Sequence, residues 1–185
     1  MADGPHDPRI PGLAYRLKRT VRGEVNYHWG LDQKGTVFYA QIHQESSWDP
    51  EAKSAYASGL AQFTPDTATW ISRLYPADLG DNNPQDARWA IRALVKYDHW
   101  LYDRVLPARD DENRWSFTLS SYNGGIGWLD RDRDLAVSRG KERDRWDDNV
   151  ADCSNRAKWA FDENRGYVRR ILKVLRPMYE QGGFL

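Results

Sequence analysis

Apolar residues recur at helical spacing along most of this chain, and this periodicity favours a mainly helical fold. The longest stripe runs over residues 85–106. Its apolar face consists of Ala90, Leu94, Tyr97 and Leu101. Shorter stripes mark residues 13–22, 35–46, 64–74, 115–122 and 167–177. Since the alternation typical of strands is scarce, we predict seven to nine helices. The length of 185 residues fits one domain, which we place at residues 13–185.

Several segments carry signals for where helices begin and end. Thr64-Pro65-Asp66 is typical of a helix start, since proline is tolerated in the first turn. Asn123-Gly124-Gly125 is typical of a helix end, since glycine adopts positive φ without strain. Pro177 is predicted to end the last helix.

Two segments lack a helical stripe. Residues 1–12 contain Pro5, Pro8 and Pro11, which predict an extended arm over the surface. Residues 130–148 alternate acidic and basic side chains, a pattern that usually indicates a solvated, self-paired surface. We therefore expect residues 130–148 to form an exposed loop or helix pair.

Composition excludes several classes of function. The 27 basic and 27 acidic side chains cancel, which argues against a nucleic-acid partner. The four histidines are scattered and lack metal-site spacing, so we expect no metal and no cofactor. The lone Cys153 forms no intramolecular disulfide. No apolar run approaches the ~20 residues of a membrane span, so we expect no stable membrane insertion. We also expect the protein to be a monomer.

Glu45 is the most informative residue of the sequence. Phe38 and Ile42 stand four residues apart in the predicted helix over residues 35–46, and Glu45 continues their stripe. A carboxyl group in that position is partly desolvated, which disfavours its charged form and raises its pKa. On spacing alone, a solvated glutamate at a fraying helix end is an equally good interpretation.

Four short motifs follow one another along the chain. Glu45-Ser46 and Gly59-Leu60-Ala61-Gln62 resemble the Glu-Ser and Gly-Leu-Met-Gln motifs of the soluble lytic transglycosylase family. Ser121-Tyr122-Asn123-Gly124-Gly125 resembles its Ala-Tyr-Asn-Ala-Gly motif, and Glu163-Asn164-Arg165-Gly166-Tyr167-Val168 its Glu-Thr-x-x-Tyr-Val motif. Each motif alone is weak, but four in the family's order make a specific pattern. The resemblance covers about residues 36–176.

The resemblance implies a lysozyme-like, mainly α fold of the α+β superfamily, with a glycan-binding cleft. It also implies cleavage of the β-1,4 bond between N-acetylmuramic acid and N-acetylglucosamine in peptidoglycan, leaving a 1,6-anhydro sugar. Glu45 would act first as the acid and then as the base. No cofactor is implied, and the partner is the glycan strand.

The resemblance also assigns further site residues by matching position. Tyr122 and Tyr167 would lie near the Glu45 carboxyl and orient it, although both are also explained by packing. The substrate-binding residues would be Ser46, Ser54, Gln62 and Asn123. Ser46 would position its neighbour Glu45 through a hydrogen bond.

The sequence departs from the family pattern in three places. The stretch between Ser54 and Gly59 is about one residue shorter than usual, and Ala61 stands where methionine is common. The segment between Asn123 and Glu163 is longer and rich in charges. From these departures we expect the floor and the far wall of the cleft to differ from those of the family.

Two other functions stay open. A hydrolysing muramidase on the same fold would need a second carboxylate, for which Asp152, Asp162 and Glu163 are candidates; otherwise Glu163 would make a buried ion pair or a helix-start contact. A non-catalytic glycan-binding or virion protein is the third possibility. The small size and the lack of a signal-peptide pattern at the N-terminus suggest a phage endolysin. It would be made in the host cytoplasm and act on the cell wall; a virion-associated lysin also fits.

Overall fold

The computed structural model describes residue 7 and residues 9–184. Over these residues the chain forms nine α-helices, one short 3-10 turn and one π-helical turn. The helices are α1 (Gly12–Trp29), α2 (Thr36–Ser46), α3 (Pro65–Leu74), α4 (Pro76–Leu79), α5 (Ala87–Arg104), α6 (Asp111–Gly124), α7 (Ile126–Ser138), α8 (Lys158–Arg170) and α9 (Arg176–Gln181). The 3-10 turn is Val150–Asp152 and the π-helical turn is Ile171–Leu175. The prediction of a mainly helical fold is confirmed.

The chain divides into two compact units, and the boundary falls within α5. The first unit holds the described residues up to Lys96 and the C-terminal segment from Ile171 onward. The second unit is Tyr97–Arg170. That residues 13–185 act as one lytic domain stays a prediction.

Helix α2 lies at the centre of the first unit. Every residue from Thr36 to Ile42 is buried, so the helix is covered on all sides rather than along one stripe. It packs against the π-helical turn and α9. Tyr39 stacks with Trp48 and Tyr179, and the Phe184 ring meets both tyrosines edge-on. These rings hold the C-terminal segment of the chain against α2.

Two of the three predicted helix signals are confirmed, the start at Thr64-Pro65 and the end at Gly124-Gly125. The Thr64 side chain accepts a hydrogen bond from the backbone N–H of Thr67, and Pro65 is the first residue of α3. At the other signal, α6 ends at Gly124 and Gly125 follows with a φ of 88°. Both ends are set by local chemistry that is visible in the sequence.

The solvated, self-paired surface predicted for residues 130–148 is wrong at two positions. Asp132 and Arg133 lie on the buried side of α7, 1% and 2% exposed. The Asp132 carboxylate pairs with Arg156 at 3.1 Å and with Arg165 at 2.9 Å. Arg133 donates to the carbonyl oxygens of Val105 and Pro107, and burial lowers its pKa to about 10. Partners distant in sequence make the burial of both charges possible.

The helix end predicted at Pro177 is also wrong. The Tyr167 and Ile171 stripe is buried as predicted, but the backbone continues through the π-helical turn into α9. Pro177 stands in the first turn of α9, directly after the π-helical turn.

The arm predicted for residues 1–12 lies mostly outside the described residues, and Pro5 and Pro8 are among those not described. In the described part, Arg9 forms an ion pair with Asp7, and Ile10 is buried. Gly12 already belongs to α1.

Candidate functional site

Glu45 occupies the last turn of α2 and is half-buried. Phe38 and Ile42, which precede it on the helix, are fully buried. Directly after the helix the backbone turns sharply, with φ of 51° at Ser47 and 64° at Trp48. The half-buried position of Glu45 agrees with the apolar-stripe interpretation rather than with a fully solvated glutamate.

An aromatic and imidazole cluster anchors this end of α2. The indole N–H of Trp48 donates to the hydroxyl oxygen of Tyr179 at 2.6 Å. The same hydroxyl lies 2.9 Å from Nδ1 of His43, two residues before Glu45. Burial raises the pKa of Tyr179, so it stays a neutral phenol. Sequence reasoning missed this cluster, because Tyr179 is far from its partners in the chain and carries no motif.

Ser46 is buried beside Glu45, and its hydroxyl donates to the carbonyl oxygen of Ile42 at 3.2 Å. This bond uses the hydroxyl hydrogen, which leaves the oxygen as an acceptor. The next residues form a turn in which the Asp49 side chain accepts from the backbone N–H of Glu51. The substrate-binding role of Ser46 stays a prediction.

The loop between α2 and α3 is held by its own hydrogen bonds. The Ser54 hydroxyl accepts from the backbone N–H groups of Tyr56 and Ala57. The amide nitrogen of Gln62 donates to the carbonyl oxygens of Ala52 at 3.1 Å and Gly59 at 2.9 Å. Both N–H bonds of Gln62 are therefore committed to the loop, and its carbonyl oxygen keeps its capacity to accept a hydrogen bond. Ser54 is exposed and Gln62 half-buried.

We expect Gly59→Ala to destabilise the protein more than Gly140→Ala. Gly59 has a φ of 77°, and a Cβ there would clash with the backbone carbonyl oxygen of Pro84. Gly140 has a similar φ of 73°, but a Cβ there meets no atom within 4 Å. Backbone strain costs each variant about 1–2 kcal/mol, and overpacking costs Gly59→Ala about 1–3 kcal/mol more. Urea unfolding of both variants checks this, and equal losses would show that the loop yields freely.

The second unit holds the other three predicted site residues. Asn123, near the end of α6, accepts from the side-chain amide of Asn164 at 2.9 Å. Its own amide nitrogen lies 3.4 Å from a carboxylate oxygen of Glu163. The packing of α6 against α8 thus brings the third and fourth motifs together.

The two tyrosines differ in exposure. Tyr122 is half-buried, with its ring centroid 5.3 Å from that of Tyr97. Tyr167 is 5% exposed, as expected of a residue that contributes to the core. That either tyrosine orients Glu45 stays a prediction.

The carboxylates considered for a muramidase lie in the second unit, and all three are exposed. Asp152 pairs with Lys141 at 2.9 Å, and Asp162 pairs with Lys158 at 2.6 Å. The buried ion pair expected as the other role of Glu163 is wrong, because its described partner is the neutral Asn123. Nothing in these contacts marks one of them as a base that activates water.

Among the described residues, no group of three or more histidine, cysteine or acidic side chains is arranged to hold a metal ion. No helix in the same part of the chain has the length and apolar character needed to cross a membrane.

Known proteins with similar sequences and structures agree with the motifs. Residues 27–144, well over half of the chain, match the family described as Transglycosylase SLT domain. The membrane-bound lytic murein transglycosylase F of Maricaulis maris is 33% identical over 168 residues, covering 86% of this chain and 34% of that protein. The protein of the same name from Marinobacter nauticus is 37% identical over 130 residues, covering 69% and 24%. This chain thus spans about a third or less of the length of these relatives.

The crystal structure of the 70 kDa soluble lytic transglycosylase of Escherichia coli is similar to this fold. The TM-score is 0.57 at 27% sequence identity, and the match covers 89% of this chain and 24% of that one. The expected lysozyme-like fold is therefore confirmed. Together with the family match over residues 27–144, this places the chain in the transglycosylase SLT domain family.

Proposed function

We propose that this protein is a peptidoglycan lytic transglycosylase that cleaves the β-1,4 bond between N-acetylmuramic acid and N-acetylglucosamine. The observation that carries the proposal is the half-buried Glu45 in the last turn of a helix that is buried from Thr36 to Ile42, in a chain of the transglycosylase SLT domain family. The relatives named lytic murein transglycosylases support the same reaction, although each is a longer protein.

The proposed reaction uses one carboxyl group twice. Protonated Glu45 donates its proton to the glycosidic oxygen, and the C1–O bond to the leaving N-acetylglucosamine breaks. The N-acetyl group of the muramic acid stabilises the positive charge that develops at C1. The Glu45 carboxylate then removes the proton of the 6-hydroxyl of the same sugar, and the oxygen closes onto C1. The proton given to the leaving group is replaced, so Glu45 returns to its starting state.

The ring closure explains how one carboxyl group is enough. Most glycosidases need a second carboxylate as nucleophile or base. Here the attacking hydroxyl belongs to the substrate, and an intramolecular group has a high effective molarity compared with water. A group that acts as acid and then base works best with a pKa near the operating pH, which partial burial of a carboxyl favours.

The remaining site residues are proposed to bind and orient the sugars. The hydrogen bonds of Gln62 leave its carbonyl oxygen to accept from a sugar N–H or O–H group. Ser54 lines the glycan path with an exposed polar side chain. Tyr122 and Tyr167 are proposed to orient the Glu45 carboxyl, and Ser46 to place it.

The products decide between the transglycosylase and its two alternatives. Purified protein is incubated with peptidoglycan sacculi, and the soluble fragments are weighed by mass spectrometry. We expect anhydro-muropeptides, which are lighter by one water than the products of hydrolysis. Reducing-end muropeptides would instead identify a muramidase. No soluble fragments from folded protein that binds sacculi would identify a glycan-binding protein.

We also propose that the enzyme works as a monomer in phage-induced lysis, made in the host cytoplasm and acting on the cell wall. This setting rests on the sequence alone. Expression in a bacterium, with and without a pore-forming protein in its inner membrane, tests it. We expect rapid lysis when both proteins are present and none when Glu45 is replaced by glutamine. Lysis that needs no pore would contradict this route.

A further inference from the structure

The side-chain amide of Asn164 forms all its hydrogen bonds with residues of the second unit. It is 1% exposed, in α8. Its oxygen accepts from the Ser120 hydroxyl at 2.9 Å and from Nη1 of Arg165 at 2.7 Å. Its nitrogen donates to the Ser120 carbonyl oxygen and to the Asn123 side-chain oxygen, both at 2.9 Å. All four hydrogen-bonding positions of the amide are filled.

The direction of these bonds is fixed by groups that cannot reverse their roles. A guanidinium only donates, so the Asn164 atom facing Arg165 must be the oxygen. Arg165 is itself held by the buried Asp132 carboxylate at 2.9 Å. A backbone carbonyl only accepts, so the Asn164 atom facing the Ser120 carbonyl must be the nitrogen. The buried ion pair thus sets the orientation of the Asn164 amide.

This orientation is passed on to Asn123. Since Asn164 donates to it, Asn123 must present its oxygen inward and its NH2 group outward. The outward NH2 lies near the exposed Glu163 carboxylate, which also only accepts. Glu163 engages one N–H at 3.4 Å, which leaves the second N–H of the amide as a donor for a ligand.

We propose that Asn164 is a positioning residue that holds Asn123 with its N–H groups outward, so that this position selects an acyl carbonyl oxygen, such as that of an N-acetyl sugar. The inference rests on the proposed function and makes it more specific. The family motif has threonine at position 164, and a threonine hydroxyl has only one hydrogen to donate. It could not donate to both Ser120 and Asn123, so this device is a feature of the present chain.

Asn164→Asp tests the proposal by reversing one end of the chain of hydrogen bonds. The carboxylate keeps the side chain's size but only accepts, so Asn123 turns its NH2 inward and presents its oxygen to the ligand. The variant is made in the Glu45→Gln protein, and binding of chitotetraose is measured by calorimetry. We expect at least about tenfold weaker binding, since the side-chain oxygen of Asn123 would then face the acetamido carbonyl oxygen of the sugar, and both atoms only accept hydrogen bonds. The fully de-N-acetylated tetramer should bind both proteins equally.

Two further variants separate positioning from general damage. Ser120→Ala removes a buried donor to Asn164 without reversing the amide, so we expect lower stability but unchanged affinity for chitotetraose. Asn123→Asp, at a half-buried position, removes the outward N–H directly and should weaken binding as much as Asn164→Asp. It keeps the test decisive if Asn164→Asp does not fold.

The inference is overturned if Asn164→Asp binds chitotetraose like its parent, or if it weakens binding of both tetramers alike. It is also overturned if Asn123→Asp has no effect. The proposed function fails separately, if the wild-type protein releases no anhydro-muropeptides from sacculi.

Discussion

Replacing Glu45 with glutamine is expected to reduce the release of soluble muropeptides from sacculi by at least about a hundredfold. Glutamine has the same shape but cannot give a proton to the glycosidic oxygen or take one from the 6-hydroxyl. Because Glu45 is both the acid and the base of the proposed reaction, that reaction has no second group to replace it. The rate of release of soluble fragments under saturating sacculi measures the effect.

Glu51→Gln is the matched control for this experiment. It makes the same chemical change on an exposed side chain six residues further along the chain. We expect it to retain the wild-type rate. Unfolding curves should show that both variants are as stable as the wild type, so that the loss at Glu45 is a loss of chemistry. Wild-type activity in Glu45→Gln would remove Glu45 from the mechanism.

Replacing Asp132 with asparagine is expected to have the largest effect on stability. The Asp132 carboxylate is 1% exposed and is the shared partner of Arg156 and Arg165. Asparagine keeps the shape but removes the negative charge, which leaves two guanidinium groups in or near the core without compensation. Breaking a buried pair in this way typically costs about 3–5 kcal/mol of unfolding free energy.

Asp162→Asn provides the comparison, since Asp162 pairs with Lys158 one helical turn away on the exposed side of α8. Exposed pairs of this kind contribute about 0.3–0.5 kcal/mol. Urea unfolding of both variants should therefore show a large loss at Asp132 and almost none at Asp162. Similar small losses would mean that water reaches the Asp132 cluster.

Local patterns in the sequence were enough to predict most of the helices. Thr64-Pro65 and Gly125 act through backbone conformation and hydrogen bonds with near neighbours, so their effects can be read from a few residues. The apolar stripe that leads to Glu45 can likewise be read from a few neighbouring residues. Each of the four motifs is also a short local pattern, and their order along the chain is visible directly in the sequence.

Contacts between distant residues could not be predicted in this way. Alternating charges predicted a solvated surface for residues 130–148, since the pattern does not reveal that Arg156 and Arg165 come to meet Asp132. The bond from Trp48 to Tyr179 joins residues that no periodicity connects. The orientation of Asn123 depends on Asn164, and the sequence shows neither which atoms meet nor which way an amide points.

Digestion of sacculi in water enriched in oxygen-18 tests the central claim most directly. If Glu45 drives attack by the substrate's own 6-hydroxyl, no atom of water enters the product. We predict anhydro-muropeptides without the heavy isotope from the wild-type protein, and none from Glu45→Gln. Reducing-end muropeptides that carry one oxygen-18 at C1 would contradict the account, because water would then be the nucleophile.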